Sequence, residues 1–259
     1  MAKTEHGEGP KERVDSTLFK GLMILETLAA APDGFGVTEL SRQLGLTKSN
    51  TFRLLQSLCT LGYVRRRDDR LYVATTKVWK VGLLVMEQFE VRDYAAPDMR
   101  HLSELTGETI YLAILDGASL LYIDKIEGTQ PIRTWTPKGG NVPIHSVGTG
   151  KALLAYNYDS LRGAVIGTLE GFTEKTITTA QKLDEEVAKI RKAGVAIDWG
   201  EYRAQVYSIG APIFGPGGAA IAAIGVSVPA ANCTKSEVKK IAAQVIEAAG
   251  SITRKIAHA

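Results

Sequence analysis

Leu40-Ser41-Arg42-Gln43-Leu44-Gly45-Leu46-Thr47-Lys48-Ser49-Asn50-Thr51-Phe52-Arg53-Leu54-Leu55 reads as two short helices joined by a turn. Gly45 ends the first, because glycine enters the left-handed backbone conformation of a helix C-terminus without a Cβ clash. Thr47 can cap the second, which runs to about Leu61 before Gly62, and Thr38 can cap the first. Upstream, Leu18, Leu22, Leu25 and Leu28 or Ala29 recur at helical spacing and stop at Ala31-Pro32-Asp33-Gly34. Downstream, Tyr63 to Arg67 and Leu71 to Ala74 are strand-like and flank the turn Asp68-Asp69-Arg70. Helix, helix, tight turn, helix and basic hairpin, in that order, predict a winged helix-turn-helix.

In the third helix Thr51, Leu54, Leu55 and Leu58 share one side, which leaves Ser49, Arg53 and Gln56 opposite and Asn50 on the flank. Those polar side chains suit base edges in a major groove, with Arg53 able to reach guanine or phosphate. The hairpin adds Arg65, Arg66, Arg67 and Arg70, and Thr38 and Lys48 stand near helix starts, where phosphates bind. The basic footprint is local, since the whole chain of 259 residues carries a formal charge of only +3.

A composition of 45% hydrophobic and 23% charged residues is that of a globular protein with a core. The apolar stretch Leu18 to Ala31 is interrupted by Lys20 and Glu26, so no membrane span is expected. Met1 to Ser16 is polar, without the apolar centre of a secretory signal, which predicts a flexible arm and a cytosolic chain. Cys59 and Cys233 stand far apart, and His6, His101, His145 and His258 lack ligand spacing, so neither a disulfide framework nor a metal or other cofactor is expected.

From Lys77 to about Leu105 the pattern is helical, with a break expected near Pro97. Thr109 to Leu115 and Ser119 to Ile126 form a hairpin around Asp116-Gly117, and Ile132 to Trp135 is a further short strand. Gly150 to Tyr156 opens a helix, and Leu183, Val187 and Ile190 mark another, ended by Gly194. Ser208 to Ile213 and Ala219 to Val228 are strands joined across Gly215-Pro216-Gly217-Gly218, and Thr234 with Glu237 caps a long final helix. The expected organisation is an arm over residues 1–16, a winged helix-turn-helix over 17–76, a linker helix over 77–92 and an α+β domain with an antiparallel sheet over 93–259.

The stretch quoted first, with Leu61-Gly62-Tyr63-Val64, resembles the IclR family of bacterial regulators. Thr106-Gly107-Glu108-Thr109, Asp124-Lys125-Ile126-Glu127-Gly128, Pro143-Ile144-His145-Ser146-Val147-Gly148-Thr149-Gly150-Lys151-Ala152 and Ala211-Pro212-Ile213 look like that family's effector domain. The resemblance implies a GAF-like effector domain, homodimers or homotetramers on palindromic double-stranded operators, repression or activation, and a small organic acid as ligand. It further suggests the amides of Gly148 and Thr149 for the acid's carboxylate, Asp198, Ser208 and Ser227 as polar walls, and Thr134, Trp135 and Ile144 closing the cavity. Gly148 and Thr149, placed just before a helix, suit an anion on physical grounds as well. Ser208 stands where the family often has cysteine, and Gly225 where relatives can place a second serine. Fewer hydroxyls and a nearby Trp135 would suit a larger, partly aromatic acid. Asp198 would then accept from a hydroxyl or amine at the ligand's far end, or cap the loop after the strand Val195 to Ile197.

An enzyme is not expected. Gly148-Thr149-Gly150-Lys151 lacks a phosphate loop's earlier glycine and following Ser or Thr, since His145 and Ala152 hold those places. Ser236 lies in the first turn of a capped helix, His145 before a glycine turn suits a structural hydrogen-bonding role, and no acid, base and nucleophile together stand close in sequence. The remaining alternative is an interaction module that uses its winged helix for dimerisation.

Overall fold

The computed structural model describes residues 15–86, 90–129, 139 and 141–258. Residues 1–14 of the expected arm, the expected strand Ile132 to Trp135 and residues 87–89 of the expected linker lie outside them. The chain forms two compact units that divide between residues 88 and 89.

The first unit contains α1 (Ser16–Ala29), α2 (Val37–Gln43), α3 (Lys48–Thr60), β1 (Val64–Arg66), β2 (Tyr72–Ala74) and α4 (Thr76–Met86). Ile24, Leu28, Leu40, Leu54, Leu55, Val64 and Tyr72 make its core, which joins α1, α2, α3 and the hairpin. Asp15 caps α1 by accepting from the Thr17 and Leu18 amides at 2.9 and 2.8 Å. Thr47 caps α3, accepting from the Asn50 amide at 3.3 Å. Thr38 does not cap α2: the helix starts at Val37 after Gly36, and Thr38 lies inside the first turn. The reason is the backbone pairing of Phe35 with Tyr72, which holds the chain extended up to Gly36 and lets the helix begin at once.

The second unit contains α5 (Val91–Thr106), β3 (Thr109–Asp116), β4 (Ser119–Ile126), β5 (Asn141–Pro143), α6 (Gly148–Tyr156), α7 (Tyr158–Ile166), α8 (Ala180–Ala193), β6 (Ala196–Asp198), β7 (Val206–Phe214), β8 (Ala220–Pro229) and α9 (Lys235–Ala257). Six antiparallel strands run in the order β5-β4-β3-β8-β7-β6. Side chains alternate across the sheet, so Tyr111 and Ala113 of β3 join the core with Leu153 of α6 and Leu183 of α8. Ile110 and Leu112 take the other face, and α5 and α9 pack together over β3, β7 and β8.

Pro97 lies inside α5 and does not break it. Proline in a helix interior costs about 3 kcal/mol. Burial of Val91, Met99 and Leu102 on the same helix opposes it, at roughly 1.5–3 kcal/mol for each large apolar side chain. Packing therefore outweighs the missing backbone hydrogen bond. The α6 helix begins two residues earlier than the sequence suggests, so Gly148 and Thr149 form its first turn.

Candidate DNA-binding surface and effector cavity

On α3 the buried residues are Thr51, Leu54 and Leu55, which turns Ser49, Arg53 and Gln56 to solvent and leaves Asn50 half-buried. Arg53 Nη2 donates to Asn50 Oδ1 at 3.4 Å, so the two side chains stand together on the exposed face. Lys48 and Thr38 are exposed as well. In the wing, Arg65 pairs in register with Val73 and Arg66 with Tyr72, and Arg65, Arg66 and Arg70 are exposed. Arg67 differs. Its guanidinium bonds the Asp33 carbonyl at 3.3 Å and Asp69 at 3.0 Å, which ties the wing's base to the loop after α1. Arg42 of α2, exposed and basic, joins the same local charge.

In the second unit a cavity is lined by Tyr111, Tyr122, Val142, Val147, Asp198, Tyr202, Arg203, Val206, Ser208 and Ser227. Asp198, Ser208 and Ser227 thus come together, with Ser208 and Ser227 directly opposite on β7 and β8. Gly148 joins them through its amide, which donates to Ser208 Oγ at 2.8 Å. Ile144 is brought instead to a separate surface groove with His145, Glu170 and Phe172. Thr134 and Trp135 lie outside the described residues.

Asp198 is 2% exposed and fully engaged. Oδ1 accepts from the Gly200 and Glu201 amides at 2.8 and 2.5 Å, and Oδ2 accepts from Ser208 Oγ at 2.8 Å. This is the loop-capping role, and it leaves little capacity for a ligand's hydroxyl or amine. Burial pushes the Asp198 carboxyl up in spite of those donors.

The start of α6 is pressed onto the sheet by glycines. A Cβ at Gly148 would lie 2.6 Å from the Ser208 carbonyl oxygen, and one at Gly210 would strike the Thr149 amide. A Cβ at Gly225 would meet the Thr149 methyl at 2.5 Å and the Ile209 carbonyl at 2.6 Å. The missing serine at 225 therefore frees no room, because Thr149 fills that space. The Thr149 hydroxyl is itself buried and has no hydrogen-bond partner among the described residues. Tyr122 lies beside it, and burial holds its phenol well above the usual range.

The sequence reading missed Tyr111, Tyr122, Tyr202 and Arg203. Tyr111 and Tyr122 pack with ring centroids 4.4 Å apart and planes tilted by 35°, an aromatic wall built by neighbouring strands. Strand alternation puts Tyr111 on the face of Ala113, and a buried phenol asks for a polar neighbour, which was the available signal. Arg203 stacks over the Tyr202 ring at 5.4 Å in a loop whose pattern gives no such hint.

Behind the cavity is a buried ionic cluster that the sequence reading also missed. Lys151, 1% exposed, donates to Glu201 Oε1 at 2.6 Å, Glu186 Oε1 at 2.9 Å and the Ile197 carbonyl at 2.9 Å. Among the described residues no group of three or more potential ligands could hold a metal ion. No described helix is long and apolar enough to cross a membrane.

Two family models match the chain: the IclR helix-turn-helix domain over residues 17–68 and the bacterial transcriptional regulator IclR C-terminal region over 83–254. The chain is 31% identical over 249 residues to the HTH-type transcriptional regulator KdgR of Escherichia coli, covering 94% of this chain and 93% of that one. The crystal structure of the Thermotoga maritima IclR superposes with a TM-score of 0.79 at 31% identity, covering 93% of this chain and 98% of that one. An IclR homologue from Microbacterium hydrocarbonoxydans, crystallised with 4-hydroxybenzoate, shares the fold with a TM-score of 0.82 at 22% identity, covering 94% and 100%. Its relatives are transcriptional regulators and not enzymes, and with both domains matched the chain belongs to the IclR family of bacterial transcriptional regulators.

Proposed function

We propose that the protein binds palindromic operator DNA in the cytosol as a homodimer or homotetramer, through α3 and the wing, under control of a small organic acid held between α6 and β7. The observation that carries the DNA half is the exposed row Ser49, Arg53 and Gln56 on α3, flanked by the exposed wing arginines Arg65, Arg66 and Arg70. Phosphate contacts supply affinity and α3 supplies the reading. The second copy is supported by apolar faces that one chain leaves in water: Leu18, Phe19 and Leu22 on α1, and Trp79, Val81 and Leu84 on α4.

The acid half rests on the first turn of α6. The amides of Thr149 and Gly150 find no acceptor among the described residues, and the Thr149 hydroxyl is buried without a partner. Unmatched donors at the positive end of a helix suit a carboxylate. The wall of Tyr111 and Tyr122 favours a flat acid, and a structural neighbour holds 4-hydroxybenzoate. The free volume of about 30 Å³ is small, room for about one water, so the acid enters by displacing side chains.

Arg53→Ala tests the DNA half. Binding to an operator fragment, titrated at fixed salt, weakens by about 1–3 kcal/mol if Arg53 reads a base. Binding to random DNA of equal length changes far less. Unchanged operator binding would return the protein to the interaction-module reading.

A further inference from the structure

We propose that the Ser208 hydroxyl is an internal stand-in for the effector's carboxylate, occupying the Gly148 amide until an acid displaces it; this rests on the effector site proposed above. Four hydrogen bonds point to it. Gly148 N donates to Ser208 Oγ at 2.8 Å, although Gly148 is a first-turn residue of α6, whose amide has no acceptor within the helix. Ser208 Oγ in turn donates to Asp198 Oδ2 at 2.8 Å, which fixes the rotamer that presents the oxygen's lone pairs to the amide. The carboxylate that holds it is itself anchored by the Gly200 and Glu201 amides.

A serine hydroxyl in this position does what an acid's oxygen would do. It accepts from the positive end of a helix and lies on the wall of the cavity. The neighbouring amides of Thr149 and Gly150 and the buried Thr149 hydroxyl remain unmatched. The site is therefore partly filled from within, at the one donor that Ser208 reaches from β7. Gly148 and Gly210 let the start of α6 lie directly against β7, where a Cβ on either would clash. Relief comes from rotating one side chain. Displacement breaks the Gly148–Ser208 bond, the hydroxyl gains no bond to the acid in exchange, and the vacated volume adds to a small cavity.

Ser208 thus sets the affinity and size threshold for effectors and is a specificity-determining residue. A weaker acceptor at 208 lowers the threshold. The ligand class follows: a carboxylate, strong enough as an acceptor to outcompete a neutral hydroxyl.

The test uses the full chain, glyoxylate and 4-hydroxybenzoate as probes, and isothermal titration with thermal melts on wild type, Ser208→Ala and Ser208→Cys. Ser208→Ala binds the better probe about fivefold more tightly than wild type, the value of one neutral hydrogen bond no longer broken on binding, and Ser208→Cys lies between. Without acid Ser208→Ala melts lower than wild type, and saturating acid closes that gap. Wild-type binding with equal or weaker affinity in Ser208→Ala overturns the stand-in role while leaving the effector site intact. Binding of neither probe to any variant overturns both the effector site and this inference.

Discussion

At the scale of single residues, the buried group most exposed to circumstance is Glu201. Its Oε1 accepts from Lys151 while its buried Oε2 has no partner among the described residues. Burial pushes its carboxyl up to about 7 against the pull of Lys151, with Asp198 and Glu186 pushing the same way. The folded protein therefore holds a proton there that the unfolded chain releases nearer 4.5. Stability from this group is complete below the unfolded value and is lost as pH rises through about 7. Asp198, also raised, acts with the same sign; His145, lowered mainly by burial, acts with the opposite one as pH falls. Urea denaturation of wild type and Glu201→Gln across this range isolates the effect: the variant loses less stability with rising pH, and parallel curves would contradict the assignment. Little of this was legible in the sequence. Lys151, Glu186 and Glu201 lie far apart in the chain, and an isolated lysine after Gly-Thr-Gly gives no sign that it will be buried beneath a helix.

Among the elements, α3 and its turn were legible because every cue was local: the Thr47 cap, the glycine at 45 with φ +65, and the apolar stripe of Thr51, Leu54 and Leu55. The hairpins of β3 with β4 and β7 with β8 were legible for the same reason, since Gly117, Gly217 and Gly218 take positive φ at the turns. Where the reading went wrong, a contact distant in sequence decided. Phe35 pairing with Tyr72 moved the start of α2 and deprived Thr38 of a cap, and packing along Ala95, Met99 and Leu102 carried α5 through Pro97. The start of α6 likewise depends on Gly148, Gly210 and Gly225 letting helix and sheet approach. Gly225→Ala forces a Cβ against a backbone oxygen that cannot move away cheaply and should destabilise by about 1–3 kcal/mol. Chemical denaturation measures it, and a variant as stable as wild type would show that the β7 backbone at Ile209 and the Thr149 methyl give way without cost.

For the whole molecule, two units each with its own core separate the surface proposed to read DNA from the cavity proposed to hold an acid. The domain types and most elements followed from the sequence, whereas β5 and α7 were not read from it. The wall of the effector cavity did so only in part, because Ser208, Ser227 and Asp198 meet Tyr111, Tyr122 and Arg203 only once six strands are ordered across the sheet. The exposed apolar faces of α1 and α4 predict self-association: Leu22→Glu with Trp79→Glu should yield a smaller species by sedimentation and weaken operator binding, whereas an unchanged mass would place the interface elsewhere. The most direct measurement is a gel shift of the purified protein on the DNA upstream of its own gene, at one stated salt concentration, with random DNA as competitor and with and without 4-hydroxybenzoate or glyoxylate. An acid-regulated reader gives a band that survives excess random DNA and shifts its midpoint with one of the acids. A band that random DNA removes as readily as specific DNA, indifferent to both acids, would contradict it.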